Sequence, residues 1–275
     1  MIAYNVRIKD FLDGQQVTIY SNSIISNVGK KEKREKEINN DEPIEPFTNT
    51  AVHSFEVSER KIKEQERSVS NSMKRTKSKI VDYSRTNEWE WFLTLTFGDE
   101  EIRMNYERCS EELSKWINNV QHMCDFGMKY IVVPEMHERG GFHYHALVSN
   151  ADGIKFVDSG HCTKNGETIY NIDNYGLGFT TATKVKDSER ASNYITKYIT
   201  KELAQVTKGK KRYWCSKNLD TPAVTFHNYD TMDKGILNDE LIECAEYMKT
   251  IDYEICAKPR SVTYYEVEKQ TLKTI

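Results

Sequence analysis

The stretch WFLTLTF at residues 91–97 begins the most regular pattern in the chain, and its β-branched and aromatic residues predict a strand. Apolar residues at helical spacing follow over residues 102–124. Residues 130–134 and the stretch FHYHALVS at residues 142–149 predict two further strands, joined through a turn at ERGG, residues 138–141. This order of strand, helix and hairpin predicts an α+β fold with a ferredoxin-like (RRM-like) central antiparallel sheet and helices on one face.

Weaker patterns cover the rest of the chain. Alternating apolar residues on either side of Asp13-Gly14 predict a hairpin over residues 4–25, and residues 58–88 predict a basic helix. Further along, the patterns predict in order a loop-rich region, a strand, a helix, a short strand, a helix and a terminal strand, over residues 150–176, 177–185, 188–204, 223–227, 238–249 and 261–267. We therefore predict three regions: an N-terminal hairpin with a highly charged linker (residues 30–46), a central domain led by the basic helix, and an acidic C-terminal extension, at residues 1–57, 58–219 and 220–275.

The formal net charge of −3 conceals two basic stretches and an acidic one. Residues 60–85 contain nine Lys and Arg against three Asp and Glu, and residues 184–217 contain ten against three. Residues 220–275 contain six against eleven. Because a phosphate backbone responds to local positive charge, the basic stretches are suited to nucleic acid. Taken alone, the charge of residues 60–85 slightly favours a solvated helix face over an arm along DNA.

The composition argues against several classes of protein. No uninterrupted run of 18 apolar residues occurs, so we expect no membrane span and no membrane partner. The start MIAYNVRIKDFLDG lacks the apolar region of a secretory signal, so we expect a cytoplasmic protein. The six Cys form no CxxC pair, which is typical of reduced thiols rather than of a disulfide framework or a structural zinc site.

His143 and His145 form the first pair of candidate functional residues. Residues two apart on a strand point to the same face, so the two imidazoles lie side by side. Neutral imidazole is a good ligand for a divalent metal, and Glu135, at the end of the preceding strand, would supply a third ligand. His137 and Glu138 compete with Glu135 because the register of the hairpin is open by one or two residues. Two surface histidines without a metal are the alternative.

The stretch ASNYITKYITK at residues 191–201 contains the second candidate set. Tyr194 and Tyr198 lie four residues apart on a predicted helix, so both rings lie on one face, and Lys197 and Lys201 form a parallel pair beside them. A phenol is a nucleophile once it is deprotonated, and a nearby cation or metal favours the phenolate. An amphipathic helix that buries two tyrosines is the alternative.

Three ordered motifs resemble those of a known family. FLTLTF (92–97), His143-Tyr144-His145 and YITKYITK (194–201) resemble the motifs of the HUH endonuclease superfamily, specifically the two-tyrosine replication initiators (Rep) of rolling-circle phages, plasmids and integrative elements. RYWCSKNL at residues 212–219 is similar to the segment that commonly follows the catalytic helix in such proteins. The resemblance spans about residues 68–220.

The resemblance implies an activity and a role for each candidate residue. The family nicks single-stranded or hairpin origin DNA at a specific site and transfers the strand, which initiates rolling-circle replication. In this chain His143, His145 and Glu135 would hold Mg²⁺ or Mn²⁺. Tyr194 and Tyr198 would be the nucleophiles, forming a covalent 5′-phosphotyrosine link and a free 3′-hydroxyl that primes synthesis.

Other roles stay open at this point. Lys197 or Lys201 would steady the leaving oxygen or the phosphate, or else contact the DNA backbone or solvent. The chain has no GxxxxGK(S/T) motif, so unwinding would need a separate helicase from the host or the element, in a bacterial cytoplasm if a mobile element encodes the chain. The alternatives are a conjugative relaxase-like nickase and a non-catalytic origin-binding protein of the same fold. The relaxase is disfavoured because the histidines precede the tyrosines.

Overall fold

The computed structural model describes residues 2–26, 50–137, 139–207, 209–255 and 258–268, and the predicted linker at residues 30–46 lies outside them. In chain order the elements are β1 (Ile2–Asp10), β2 (Gly14–Ser26), α1 (Thr50–Thr86), β3 (Trp91–Thr96), α2 (Glu100–Arg103), α3 (Tyr106–Met123), β4 (Lys129–Met136), β5 (Phe142–Ser149), β6 (Phe156–Cys162), β7 (Thr168–Ile172), β8 (Thr180–Lys184), α4 (Ser188–Lys197), α5 (Lys201–Val206), β9 (Trp214–Cys215), β10 (Ala223–His227), α6 (Thr231–Cys244), β11 (Tyr247–Ile255) and β12 (Lys258–Glu268). The described part of the chain is thus α+β, with two antiparallel sheets and six helices. None of its helices combines the length and the apolar character that crossing a membrane requires.

The chain divides into two compact units. One comprises Ser68–Pro222 with Phe11–Asp13, and the other comprises the terminal regions Met1–Asp10, Gly14–Arg67 and Ala223–Ile275. The terminal unit contains a five-stranded sheet in the order β10-β1-β2-β12-β11. Strands from the predicted N-terminal and C-terminal regions therefore belong to one sheet, which has its own small core with α6.

The terminal elements test several predictions. The hairpin over residues 4–25 is confirmed by β1 and β2, and the strands at residues 223–227 and 261–267 are confirmed by β10 and β12. The helix predicted over residues 238–249 is wrong at both ends, because α6 begins earlier and β11 follows it. Asp230 caps α6 by accepting a hydrogen bond from the backbone N–H of Asp233, and this cap sets the earlier start.

The central unit contains a seven-stranded sheet in the order β6-β7-β8-β3-β5-β4-β9. The strands predicted at residues 91–97, 130–134, 142–149 and 177–185 are confirmed by β3, β4, β5 and β8. The loop predicted over residues 150–176 is wrong, because this segment contains the hairpin of β6 and β7. A register shift between Asp158 and His161 interrupts the pairing, and such a bulge disrupts the alternation by which a strand is recognised in a sequence.

Helices lie on both faces of this sheet, whereas the sequence predicts one face. The ring of Phe142 contacts Tyr106 of α3 at 5.1 Å on one face, and the ring of Phe92 contacts Tyr194 of α4 at 5.1 Å on the other. The sequence of β5 explains the difference, since every residue of this strand except His143 is buried. A strand that is buried on both faces needs covering elements on both.

Candidate active site

Strands β3, β5 and β4 place the predicted metal ligands in a short row. His143 of β5 lies opposite Thr96 of β3 on one side and opposite Glu135 of β4 on the other. His145, two residues along β5, lies opposite Thr94. Because directly opposed residues share a face of the sheet, the two imidazoles, the carboxylate and the two hydroxyls all lie on one face.

Hydrogen bonds orient the two imidazoles. The Oγ1 atom of Thr94 lies 3.2 Å from His145 Nδ1, and the Oγ1 atom of Thr96 lies 3.3 Å from His143 Nδ1. The Oε2 atom of Glu135 lies 2.8 Å from His145 Nε2. Each ring is therefore held at Nδ1 by a threonine, which directs Nε2 away from β3.

Burial keeps both histidines neutral. Removal from water lowers the pKa of His145 below its ordinary value, against the opposing effect of the Glu135 carboxylate. Burial also lowers the pKa of His143, helped by its neighbours His137 and Arg103. Neutral imidazoles have a lone pair available, so both side chains are suited to act as ligands at physiological pH.

The donor set fits a hard divalent cation in its chemistry. The 2.8 Å between Glu135 Oε2 and His145 Nε2 is close to the spacing of about 3 Å between adjacent ligands that each lie ~2.1 Å from one Mg²⁺. A cation would take the place of the proton that now lies between these two atoms. Within the described ranges, however, no group of three His, Cys, Asp or Glu side chains is placed to hold a metal ion.

The two competing ligands differ in their position. The ring of His137 stacks on that of His143, with centroids 5.4 Å apart and planes at 28°. The register places Glu135, not His137, opposite His143. Glu138 lies outside the described residues.

The segment that contains the tyrosines is not one continuous helix. The sequence predicts a helix over residues 188–204, but α4 ends at Lys197 and α5 begins at Lys201. Thr200 caps α5 by accepting a hydrogen bond from the backbone N–H of Leu203, and Ile199 is fully buried at the break. Ile and Thr are weak helix formers and Thr is a good N-cap, which explains why the helix divides here. Tyr198 therefore lies just beyond the end of α4.

The two tyrosine rings nevertheless lie together against the histidine face. The ring of Tyr198 stacks on His145, with centroids 3.6 Å apart and planes at 13°. The ring of Tyr194 packs edge-on against Tyr198 at 5.4 Å and against Phe92 at 5.1 Å. Tyr194 is 47% exposed, so it is open to a ligand from solvent. The structure thus brings both predicted nucleophiles to the face that carries the predicted metal ligands.

The surroundings of Tyr198 oppose ionisation of its hydroxyl. Burial raises the pKa of Tyr198 well above its ordinary range, and the neighbouring Tyr194 and the charge of Glu135 act in the same direction. A positive charge bound near Glu135 would counteract this effect. The phenol therefore stays protonated until another group lowers its pKa.

The two predicted lysines are less closely placed. Lys197 is exposed, and its Nζ atom lies 5.4 Å from the centroid of the Tyr194 ring. Lys201 is the first residue of α5, and its side chain lies outside the described structure. Because the helix divides between them, the two lysines do not form a pair along one helix face.

An open groove of about 580 Å³ brings the two basic stretches together. Its lining combines residues of α1 with the segment before β9, namely Ser72, Thr76, Gly209, Lys210, Lys211, Arg212, Tyr213 and Cys215. Arg212 joins the two sides by donating hydrogen bonds to Ser72 Oγ at 2.7 Å and to Thr207 Oγ1 at 3.2 Å. The groove contains none of the candidate catalytic residues, and its charge suits a phosphate backbone.

Several neighbours of the site were missed at the level of the sequence. Thr94 and Thr96 were not predicted as site residues, although their alternation with leucine in LTLT places them on one face of β3. Phe92, which lies next to Tyr194, shares that alternation. Arg103 has no comparable signal, because its proximity to His143 depends on α2 lying at the end of β3.

Comparison with known proteins supports a role connected with replication. Residues 90–203 match a family model that describes the replication-associated protein ORF2. This range contains every candidate ligand and both tyrosines. No curated protein and no solved structure gives a significant match to the chain. Over residues 90–203, the chain is therefore similar to replication-associated proteins of the ORF2 family.

Proposed function

We propose that this protein initiates rolling-circle replication by nicking single-stranded origin DNA at a specific site and transferring the strand through a 5′-phosphotyrosine intermediate. One observation carries the proposal: Tyr198 stacks at 3.6 Å on His145, which is itself bonded to Glu135. A tyrosine, an oriented imidazole and a carboxylate on one face form a site for attack on a phosphodiester. The match to replication-associated proteins supports the same function. The order of β3, α3, β4 and β5 is compatible with a ferredoxin-like arrangement, which we include in the proposal.

The chemistry of the first step is a transfer of a phosphoryl group. The phenol of Tyr198 or Tyr194 loses its proton, and its oxygen forms a bond to phosphorus. The bond from phosphorus to the 3′ oxygen breaks, and that oxygen gains a proton to become a free 3′-hydroxyl. The 5′ end stays joined to the tyrosine, so the energy of the phosphodiester is retained for rejoining.

The metal-binding residues in this proposal are His143, His145 and Glu135. Mg²⁺ or Mn²⁺ held by them would polarise a non-bridging oxygen of the scissile phosphate and stabilise the charge that develops there. Thr94 and Thr96 hold the two imidazoles in the required tautomer by their contacts at Nδ1.

Two tyrosines allow two successive transfers. Their rings lie 5.4 Å apart, so both hydroxyls lie within reach of a single bound phosphate. One tyrosine would act at the start of a round, and the other would attack the regenerated origin after it. Lys197, beside Tyr194, would contact the phosphate or the DNA backbone.

The substrate is single-stranded or extruded from a hairpin, because a phosphate within an intact duplex cannot approach the row of histidines without distortion. The groove between α1 and the segment before β9 would provide most of the affinity, by phosphate contacts from Lys210 and Lys211. A separate helicase, from the host or from the element, would unwind the duplex.

The decisive experiment is a search for the covalent adduct. The protein is incubated with Mn²⁺ and a labelled single-stranded oligonucleotide taken from the DNA that flanks the gene, and then separated on a denaturing gel. We expect an adduct in the parent protein, in Tyr194→Phe and in Tyr198→Phe, but none in the double variant. Phenylalanine keeps the ring and its packing, so only the hydroxyl is tested.

Other outcomes distinguish the alternatives. Binding without any adduct in the parent protein would indicate a non-catalytic origin-binding protein. An adduct that persists in the double variant, or one that mass spectrometry locates on another residue, would overturn the assignment of the nucleophiles.

A further inference from the structure

Phe179 is a strongly exposed apolar side chain next to the candidate site. It is 66% exposed and immediately precedes β8. Its carbonyl oxygen accepts a hydrogen bond of 2.9 Å from the backbone N–H of Thr96. A single exposed apolar residue is common on protein surfaces, so the significance of Phe179 depends on where it lies.

Phe179 extends the row that contains the candidate metal ligands. The ladder between β8 and β3 continues to Phe179, which lies opposite Thr96. Thr96 lies opposite His143, and His143 lies opposite Glu135. Opposed residues share a face, so these four residues follow one another on the same face across four strands. The backbones at Phe179 and His143 are two strand spacings apart, which is about 10 Å.

Gly178 fixes the backbone from which Phe179 projects. Its φ is +155°, and a Cβ atom at this position would lie 2.3 Å from the carbonyl oxygen of Thr96 and 2.4 Å from the backbone nitrogen of Gly98. Only glycine allows this close approach to the end of β3. Phe179 is therefore held against the sheet by its backbone and is not carried on a free loop.

The surroundings of the row favour a nucleotide. The aromatic contacts of Tyr194 and Tyr198 fall on Phe92 and His145, in the adjacent rows of the sheet. Arg103 lies at the same end of β3, where its Nη1 atom donates to the carbonyl oxygen of Phe97 at 3.4 Å. An exposed aromatic face thus lies beside a cation and beside the groups that would receive a phosphate.

We propose that Phe179 is a stacking site for a nucleobase of single-stranded DNA, specifically the base of a nucleotide that flanks the scissile phosphate. Phenylalanine has no polar atoms in its side chain, so it would stack on any base and would not select one by hydrogen bonds. The position of the base would set the position of the phosphate about 10 Å away, beside His143. This inference rests on the proposed function, because it takes single-stranded DNA to be the substrate.

The test measures binding and not cleavage, so it is independent of the tyrosines. A fluorescent ten-nucleotide thymidine oligonucleotide and an abasic oligonucleotide of the same length are titrated into the full-length parent protein, Phe179→Ala and Phe179→Trp. Phe126→Ala is the matched control, because Phe126 is 82% exposed and lies before β4, at the opposite end of that strand from Glu135. Thermal unfolding of each variant establishes that it is folded.

We expect Phe179→Ala to weaken binding of the thymidine oligonucleotide by about tenfold, the effect of losing one base–aromatic stack. The abasic oligonucleotide should bind Phe179→Ala and the parent equally, and Phe179→Trp should bind as the parent does. Phe126→Ala should leave both affinities unchanged. An equal loss for both oligonucleotides, or no loss for either, would overturn the stacking site, and the second result would point to a protein partner at Phe179. Failure of the adduct assay with this binding pattern intact would instead count against the proposed nicking activity alone.

Discussion

Replacing Thr94 by Val tests whether the threonines of β3 orient the histidine ligands. Valine keeps the shape and the β-branching of threonine, so the strand is preserved and only the hydroxyl is lost. The hydroxyl lies 3.2 Å from His145 Nδ1, and His145 is 5% exposed. Water therefore has little access to the nitrogen that the variant leaves unpaired.

The size of the effect follows from these contacts. A hydrogen bond of this kind contributes about 1 kcal/mol, and leaving a buried partner unpaired costs about 1–3 kcal/mol. Since 1.4 kcal/mol corresponds to a factor of ten, Mn²⁺ should bind Thr94→Val about tenfold more weakly than it binds the parent. Losses of ~10–100-fold are typical when an outer partner of a metal ligand is removed.

The measurement is a Mn²⁺ titration followed by calorimetry and by the initial rate of adduct formation. Thr181→Val is the control, because Thr181 lies opposite Thr94 on β8 and shares its face of the sheet. In a His145→Ala background, Thr94→Val should cause no further loss, since the two changes act through one contact. Equal Mn²⁺ affinity in the Thr94 and Thr181 variants would refute the idea that the hydroxyl orients a metal ligand.

Two other predictions concern charge. Replacing Lys74, Arg75, Lys77 and Lys79 by Ser should weaken DNA binding and make its dependence on salt less steep, because each lost phosphate contact lowers the number of released counterions; an unchanged slope in a fluorescence titration from about 50 to 200 mM salt would show that this part of α1 does not contact DNA. Burial lowers the pKa of His143 and His145 below the ordinary value of 6.5, so the unfolded chain takes up protons on them first as the pH falls; the free energy of unfolding should therefore decrease below about pH 6.5, and urea titrations should show a smaller decrease in His145→Asn than in the parent.

Local patterns were sufficient for the central strands and for the pairing of the histidines. WFLTLTF and FHYHALVS have the composition of strands, and the spacing of two in His143-Tyr144-His145 places both imidazoles on one face whatever the rest of the fold. The short turn after β4 brings Glu135 opposite β5, so one carboxylate could be selected from sequence with an uncertainty of one or two residues. These predictions depend only on contacts between neighbouring segments.

Contacts between distant segments set what the sequence did not reveal. Phe179 lies beside the site because β8 pairs with β3, although β4 to β7 separate the two strands in the chain. The groove forms because Arg212 contacts Ser72, and the separate basic stretches gave no sign of that contact. The break before α5 depends on the burial of Ile199, which competes with the helical pattern of the surrounding residues.

The sheet of the terminal unit has a consequence for synthesis of the protein. Strand β2 pairs with β12, so that Tyr20 lies opposite Val262, and β1 pairs with β10, so that Val6 lies opposite His227. The first hairpin therefore leaves the ribosome long before its neighbours exist, and its unpaired edges stay exposed while the central unit is made. A ribosome that stalls before residue 223 would release a chain with a complete set of candidate catalytic residues and an aggregation-prone hairpin, so the last strands act as a folding checkpoint on full-length translation.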